Sequence, residues 1–141
     1  MKSQLAILLI ISVFLLAASI ALAHIKFNSK IESANVRAVK QDMSLIASLA
    51  LSYYKTPAII GGGGKVFSIM DFYNYSGYQL SSDGNKIQTE NGQIEIAKSS
   101  ENELKIIGYC AELDFDIDKS IYAKLSLNKF DDIDEAYEVL N

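Results

Sequence analysis

Residues 5–23 read LAILLIISVFLLAASIALA, an uncharged run of which only Ser12 and Ser19 are polar. At a helical rise of 1.5 Å per residue this run spans roughly 28 Å, about the hydrocarbon thickness of one bilayer. Lys2 is the single charge in residues 1–23. No glycine precedes Gly61, and the only proline is Pro57. The usual causes of a helix break or kink are therefore missing up to that point. One unbroken helix is predicted from about residue 3 to residue 55.

The character of that helix changes along its length. From residue 27 the apolar positions become periodic: Phe27, Ile31, Val36, Val39, Met43, Ile46, Ala50 and Tyr53 step mostly by three and four. That spacing draws one stripe along a helix, with Lys30, Arg37, Lys40, Gln41 and Ser44 mainly elsewhere. Residues 1–23 thus read as an apolar segment for a membrane or a filament core, and residues 24–55 as an amphipathic stalk. Ile31, Val36, Val39, Met43, Ile46, Ala50 and Tyr53 are the expected helix-to-head contacts. Thr56 precedes Pro57, a natural helix stop. Gly61, Gly62, Gly63 and Gly64 follow and allow a sharp chain reversal with Pro57. The flanking apolar pairs Ile59-Ile60 and Val66-Phe67 predict that this reversal is packed through their burial.

Residues 56–141 read as a small β-rich head. Asn91-Gly92 predicts a hairpin turn between strands at 86–90 and 93–98. A third strand is read at 103–113, with Gly108 as a bulge. Residues 120–129 alternate cleanly, Ile121, Ala123, Leu125 and Leu127 against Tyr122, Lys124, Ser126 and Asn128. Residues 131–141 read as an acidic tail with one helical turn. The predicted fold is α+β: one long helix packed on a four-stranded antiparallel sheet, with one face buried and one solvated. Tyr73, Tyr75 and Tyr78 read as core and edge packing.

Charge and composition exclude several functions. The 141 residues carry a net charge of −4, but residues 56–141 alone carry −8. Such a head lacks the basic footprint that nucleic acid requires. One cysteine, Cys110, excludes a disulfide framework, and one histidine, His24, excludes a His-cluster metal centre. Asp114, Asp116 and Asp118 alternate like the start of an EF-hand loop. However, Lys119 and Leu125 stand where that loop needs glycine and glutamate, so they are weak metal candidates. Asn74-Tyr75-Ser76 matches the glycosylation sequon. Ala21-Leu22-Ala23 before His24 has the form of a signal-peptidase site, although a 19-residue run is long for a signal peptide. No catalytic residues and no cofactor are expected.

An apolar helix running into an amphipathic half, followed by a small antiparallel sheet, resembles type IV pilins and pseudopilins. More specifically, Ala34-Asn35, Arg37-Ala38-Val39, Asp42, Ala47, Tyr53-Tyr54, Pro57, Gly61 to Gly64 and Phe67 resemble a group of bacterial pilin-like proteins over about residues 1–70. The resemblance implies a non-enzymatic subunit of an extracellular filament. It would wait in the cytoplasmic membrane, then polymerise with identical copies, with acidic heads outside. Leu5, Leu8, Leu9, Ile11, Phe14, Leu15, Ile20 and Leu22 would then form the filament core. Two departures stand out: no glycine precedes the apolar run, and no acidic residue occurs before Glu32. Ser3 and Gln4 occupy the region where mature pilins carry a glutamate. The alternative reading is a single-pass anchored or secreted small binding domain acting as a monomer. Lys26, Lys30, Arg37 and Lys40 outnumber Lys2, a bias that by itself favours a cytoplasmic head.

Overall fold

The computed structural model describes residues 2–111, 120–129 and 132–140. Helix α1 runs from Lys2–Lys55. A short 3-10 turn at Ala58–Ile60 leads to helix α2, Ile69–Ser76. Strands β1 Lys86–Gln88, β2 Gly92–Ser100, β3 Glu103–Cys110 and β4 Ile121–Ser126 follow. The short helix α3, Ile133–Ala136, and strand β5, Tyr137–Val139, complete the fold. The chain divides into two compact units, Met1–Ala34 and Asn35–Asn141.

The second unit is built on an open antiparallel meander in the order β1-β2-β3-β4-β5. The sheet has five strands, not the expected four. The added strand lies in the segment read as an acidic tail, where the helical turn is present but ends at Ala136. Three residues carry too little alternation to announce a strand. The edge of β4 supplies the reason for it: Tyr137 pairs with Leu125 and Val139 with Ala123. Leu140 then donates its N–H to the Tyr122 carbonyl at 2.8 Å. Helix α2 was also absent from the sequence reading. Ser68 caps it by accepting the Asp71 N–H, and it turns Phe72 and Tyr73 into the core.

The first hairpin turns one residue earlier than expected. Gln88 pairs with Gln93, and Thr89 N–H donates to the Gly92 carbonyl at 2.9 Å, so Glu90 and Asn91 form the tip. Gly92 serves close packing instead. A Cβ there would lie 2.0 Å from the Tyr109 carbonyl oxygen.

The inner face of the sheet presents Ile87, Ile94, Ile96, Leu104, Ile106 and Leu125, all buried. One stripe of α1 covers it through Val39, Met43, Ile46, Ala47 and Ala50, also buried in the same core. Gly108 is not a bulge. It pairs regularly with Ile94 on one side and Ile121 on the other. A Cβ there would meet Met43 Sδ at 2.5 Å and Val39 Cγ1 at 2.7 Å. The missing side chain lets the helix approach the middle strand. The register shift in this pair of strands lies at Lys98/Ser100.

The reversal after α1 is specific, but side-chain burial is not what holds it. Ile59 is 93% exposed and Ile60 70%, and Val66 is exposed as well; only Phe67 of the four is buried. Backbone bonds do the holding: Gly63 N–H to Tyr53 O at 2.7 Å, Gly64 N–H to Thr56 O at 2.9 Å and Lys65 N–H to Tyr54 O at 2.9 Å. These cap carbonyls at the helix end that have no partner within the helix. The glycines make this possible by contact. A Cβ on Gly62 would lie 2.2 Å from Thr56 O, and one on Gly63 would lie 2.9 Å from the Tyr53 ring. Tyr53 in turn packs edge-on against Phe67, with ring centroids 5.5 Å apart.

Two substitutions test this packing. Ile46→Ala removes a side chain that is 1% exposed and is expected to cost about 2–5 kcal/mol. Gly108→Ala is expected to destabilise by about 1–3 kcal/mol, because Met43 and Val39 must shift. Chemical denaturation measures both, and an unchanged midpoint for Gly108→Ala would contradict the close approach.

A pH test follows from Tyr137. Its hydroxyl is buried without a hydrogen-bond partner among the described residues, and burial pushes its pKa from 10.0 up to about 12. The folded state then keeps this proton at a pH where the unfolded chain releases it. The resulting stability is fully present below about pH 10 and is lost as pH rises toward 12. Tyr109 adds to the same loss, raised to about 12 by burial and by its bond to Glu95. Tyr137→Phe is expected to leave neutral-pH stability unchanged or higher, since it forfeits no bond. It should also shrink the alkaline fall in Tm.

Candidate functional site

The most chemically distinctive surface in the described chain is the apolar segment Ala6–Phe27, a 22-residue span with mean hydropathy 2.9 and no buried residue. By length and composition it is able to cross a membrane, and an N-terminal signal sequence has the same make-up. Of the expected core residues, Leu8, Leu9, Ile11, Phe14, Leu15, Ile20 and Leu22 are all exposed, from 50% at Ile11 to 77% at Phe14. The side chain of Leu5 lies outside the described residues. Because consecutive residues around the helix share this exposure, the segment has no polar face.

Its two hydroxyls are satisfied locally. Ser12 Oγ donates to the Leu9 carbonyl at 2.9 Å, and Ser19 Oγ to the Leu15 carbonyl at 2.8 Å. Neither serine therefore brings an unpaired polar group into an apolar environment. Two shallow grooves mark the surface. One, of about 260 Å³, is lined by Ser12, Val13, Leu16, Ala17 and Ile20; the other, of about 230 Å³, by Leu9, Ile10, Val13 and Phe14. Small residues beside large ones give a helix surface into which other apolar chains can fit.

The magnitude decides what this surface needs. Thirteen large apolar side chains between Ile7 and Phe27 are exposed. At about 1–2 kcal/mol each for the area left in water, their cover is worth on the order of 20 kcal/mol. That exceeds the net stability of a typical domain, about 5–15 kcal/mol. Cover of this size is what a bilayer is able to give a span of this length and composition.

The remaining sequence candidates fall in different places. Val39, Met43, Ile46, Ala50 and Tyr53 are buried in the core of the second unit, and Val36 is packed partly against it. Ile31 is 36% exposed and belongs to the first unit. Pro57 and Gly61 to Gly64 form the reversal described above. Asp114, Asp116 and Asp118 lie outside the described residues. Among the described residues no group of three or more His, Cys, Asp or Glu side chains is placed to hold a metal ion. Asp132 instead caps α3, its Oδ1 accepting the Asp134 N–H at 2.9 Å. Cys110 is buried, and Asn74 is exposed on α2.

The sheet's outer face carries a polar network that the sequence showed only as alternation. Tyr109 donates its hydroxyl to Glu95 at 2.9 Å. The Lys86 ammonium sits 4.2 Å from the Tyr109 ring centre, and that of Lys105 sits 4.4 Å from the Tyr122 ring centre. Lys124 pairs with Glu103 at 2.6 Å, which raises the lysine's pKa. These contacts keep one face of the sheet wetted and neutralised; none forms an enclosed reaction site.

Compared with known protein families, with curated proteins and with solved structures, the chain finds no match in any of the three.

The apolar segment has a direct test. Leu16→Lys places a charge at the centre of the span, at a cost of about 2.5–3.5 kcal/mol in a bilayer. Against cover worth on the order of 20 kcal/mol, this one charge is expected to leave the variant in the membrane pellet on carbonate extraction and flotation, and a full-length chain found in the soluble fraction would contradict a membrane-inserted segment. Leu45→Lys, on an exposed site of the second unit, should leave the partition unchanged.

Proposed function

We propose that this chain is the structural subunit of a pilus-like filament at the cell surface, assembled from the cytoplasmic membrane by packing of its apolar helices. The observation that carries the reading is the all-round exposure of Ala6–Phe27. A helix apolar all round over residues 6–23 needs cover on every side, which lipid gives it before assembly and like helices would give it in a filament core. The motifs from Ala34 to Phe67, read in the sequence as resembling bacterial pilin-like proteins over about residues 1–70, would point the same way. So would the continuity of α1 to Lys55, since a bare anchor needs only about 20 residues. No catalytic step and no cofactor enters this function.

In the filament, α1 stays helical throughout. Melting a stretch in an apolar core would leave N–H and C=O groups unpaired, each costing on the order of 1–3 kcal/mol. No glycine or proline before Pro57 lowers that cost. Without an acidic residue before Glu32, subunits are held by apolar contacts in place of an N-terminal salt bridge. The second reading is a single-pass anchored domain acting alone, and the match of the 22-residue span to one bilayer favours it.

Negative-stain microscopy and sedimentation of the full-length chain after detergent removal separate the two. Filaments are expected, and a high-resolution density map of them should show α1 unbroken in the core. Monodisperse particles in lipid at every concentration would select the anchored monomer.

A further inference from the structure

The reversal after α1 carries apolar side chains that the core of the second unit does not use. Ile59 is 93% exposed, Ile60 70% and Val66 67%. They stand on two arms of one loop, and the arms lie against each other. A Cβ on Gly64 would come within 3.3 Å of Ala58 Cβ.

The main chain of this loop is closed on itself. Each residue from Ile60 to Val66 donates its N–H to a carbonyl of the same chain, at 2.7–3.2 Å. The acceptors belong to Tyr53, Tyr54, Thr56, Pro57, Ala58 and Gly63. A loop that only meets water needs no such closure, because water itself pairs exposed N–H groups. A loop that enters an apolar layer does need it, since every unpaired group there is costly.

Charge adds a separate observation. From Met43 to Met70 the only charged residues are Lys55 and Lys65, in contrast to the net −8 of residues 56–141. Both lysines are exposed. Asp42 and Asp71 bound the stretch. Among the described residues, Lys65 is the only non-glycine with a positive φ, 69°. Glycine takes that conformation without steric cost and fills the four preceding positions, yet a lysine stands here. The Tyr54 carbonyl accepts its N–H at 2.9 Å, one residue before Lys55. The fold thus holds a cationic side chain in a strained backbone at the edge of an apolar tip.

Size and charge together choose the occupant. A stable protein interface engages roughly 20–30 residues a side, whereas this tip offers three projecting apolar side chains. A bilayer surface takes such side chains without a matching hollow, and an anionic one attracts the flanking lysines. We propose that this tip docks on an anionic phospholipid surface, with Ile59, Ile60 and Val66 at the acyl boundary and Lys65 among the headgroups. The tip lies wholly in the second unit, and the proposal does not rest on the filament reading.

The chain has no tryptophan, so Ile60→Trp supplies a single fluorescent reporter and keeps the tip apolar. The full-length variant is reconstituted in phosphatidylcholine vesicles, which cover its apolar segment. Separate vesicles of phosphatidylcholine and phosphatidylglycerol, brominated on their acyl chains, are then added. Quenching of the reporter is expected, and at least about fivefold more lipid should be needed when phosphatidylglycerol is left out. A reporter placed instead by Leu45→Trp, at an exposed site elsewhere on α1, should not be quenched. With the reporter at position 60, Ile59→Asp should raise the lipid needed for half-quenching at least about tenfold. Lys65→Gly, which relieves the positive φ and removes the charge, should raise it about fivefold. Neither change should lower Tm, since both side chains are exposed. Absence of quenching overturns the proposal. So does quenching that is equal without phosphatidylglycerol, that is unchanged in both variants, or that reaches position 45 equally. A reporter already blue-shifted before vesicles are added, and restored by Ile59→Asp, would also overturn it and assign the tip to a second copy of the chain.

Discussion

The fold of the second unit depends on one close approach, where the α1 face at Val39 and Met43 meets the sheet at Gly108. A sheet with one apolar face is not stable alone in water, and neither is a helix with one apolar stripe. Each element is the other's cover. The absence of a side chain at Gly108 sets how near they come, and Ala47 and Ala50 on the same helix face keep it narrow. Around that contact the larger groups, Met43, Ile46, Ile106 and Leu125, fill the space to a buried core. Helix α2 and the reversal loop then close one end through Tyr53, Phe67 and Phe72.

The reversal shows how two kinds of stabilisation divide the work. Four glycines let the backbone lie on the helix end, and hydrogen bonds to Tyr53, Tyr54 and Thr56 carbonyls hold it there. Because the backbone does this, the apolar side chains of Ile59 and Ile60 are released from any duty in the core and face solvent. The loop is ordered by its main chain.

The first unit poses the opposite problem. Ser12 and Ser19 are satisfied by carbonyls of their own helix, but among the described residues nothing covers its thirteen large apolar side chains. Its stability in an organism therefore rests on an environment outside the single chain. In the second unit the apolar residues are turned inward by a sheet; in the first they are exposed on a helix long and apolar enough to cross a membrane.

The sequence by itself determined the helix and its two characters, because both depend on local rules. Apolar density, the absence of glycine and proline, and a three-to-four spacing are visible without any partner. Four strands, read at 86–90, 93–98, 103–113 and 120–129, were legible through alternation and turn residues for the same reason, and the structure has strands at Lys86–Gln88, Gly92–Ser100, Glu103–Cys110 and Ile121–Ser126. What only the tertiary structure decided were features whose cause lies elsewhere in the chain. Strand β5 exists because β4 offers an edge. Gly108 and Gly92 are required by neighbours across the fold, not by local conformation. The hydrogen bond from Asn91 Nδ2 to Asp42 Oδ2 joins residues 49 positions apart. Local periodicity carries no information about such meetings, because they are set by where the folded backbone brings distant residues together.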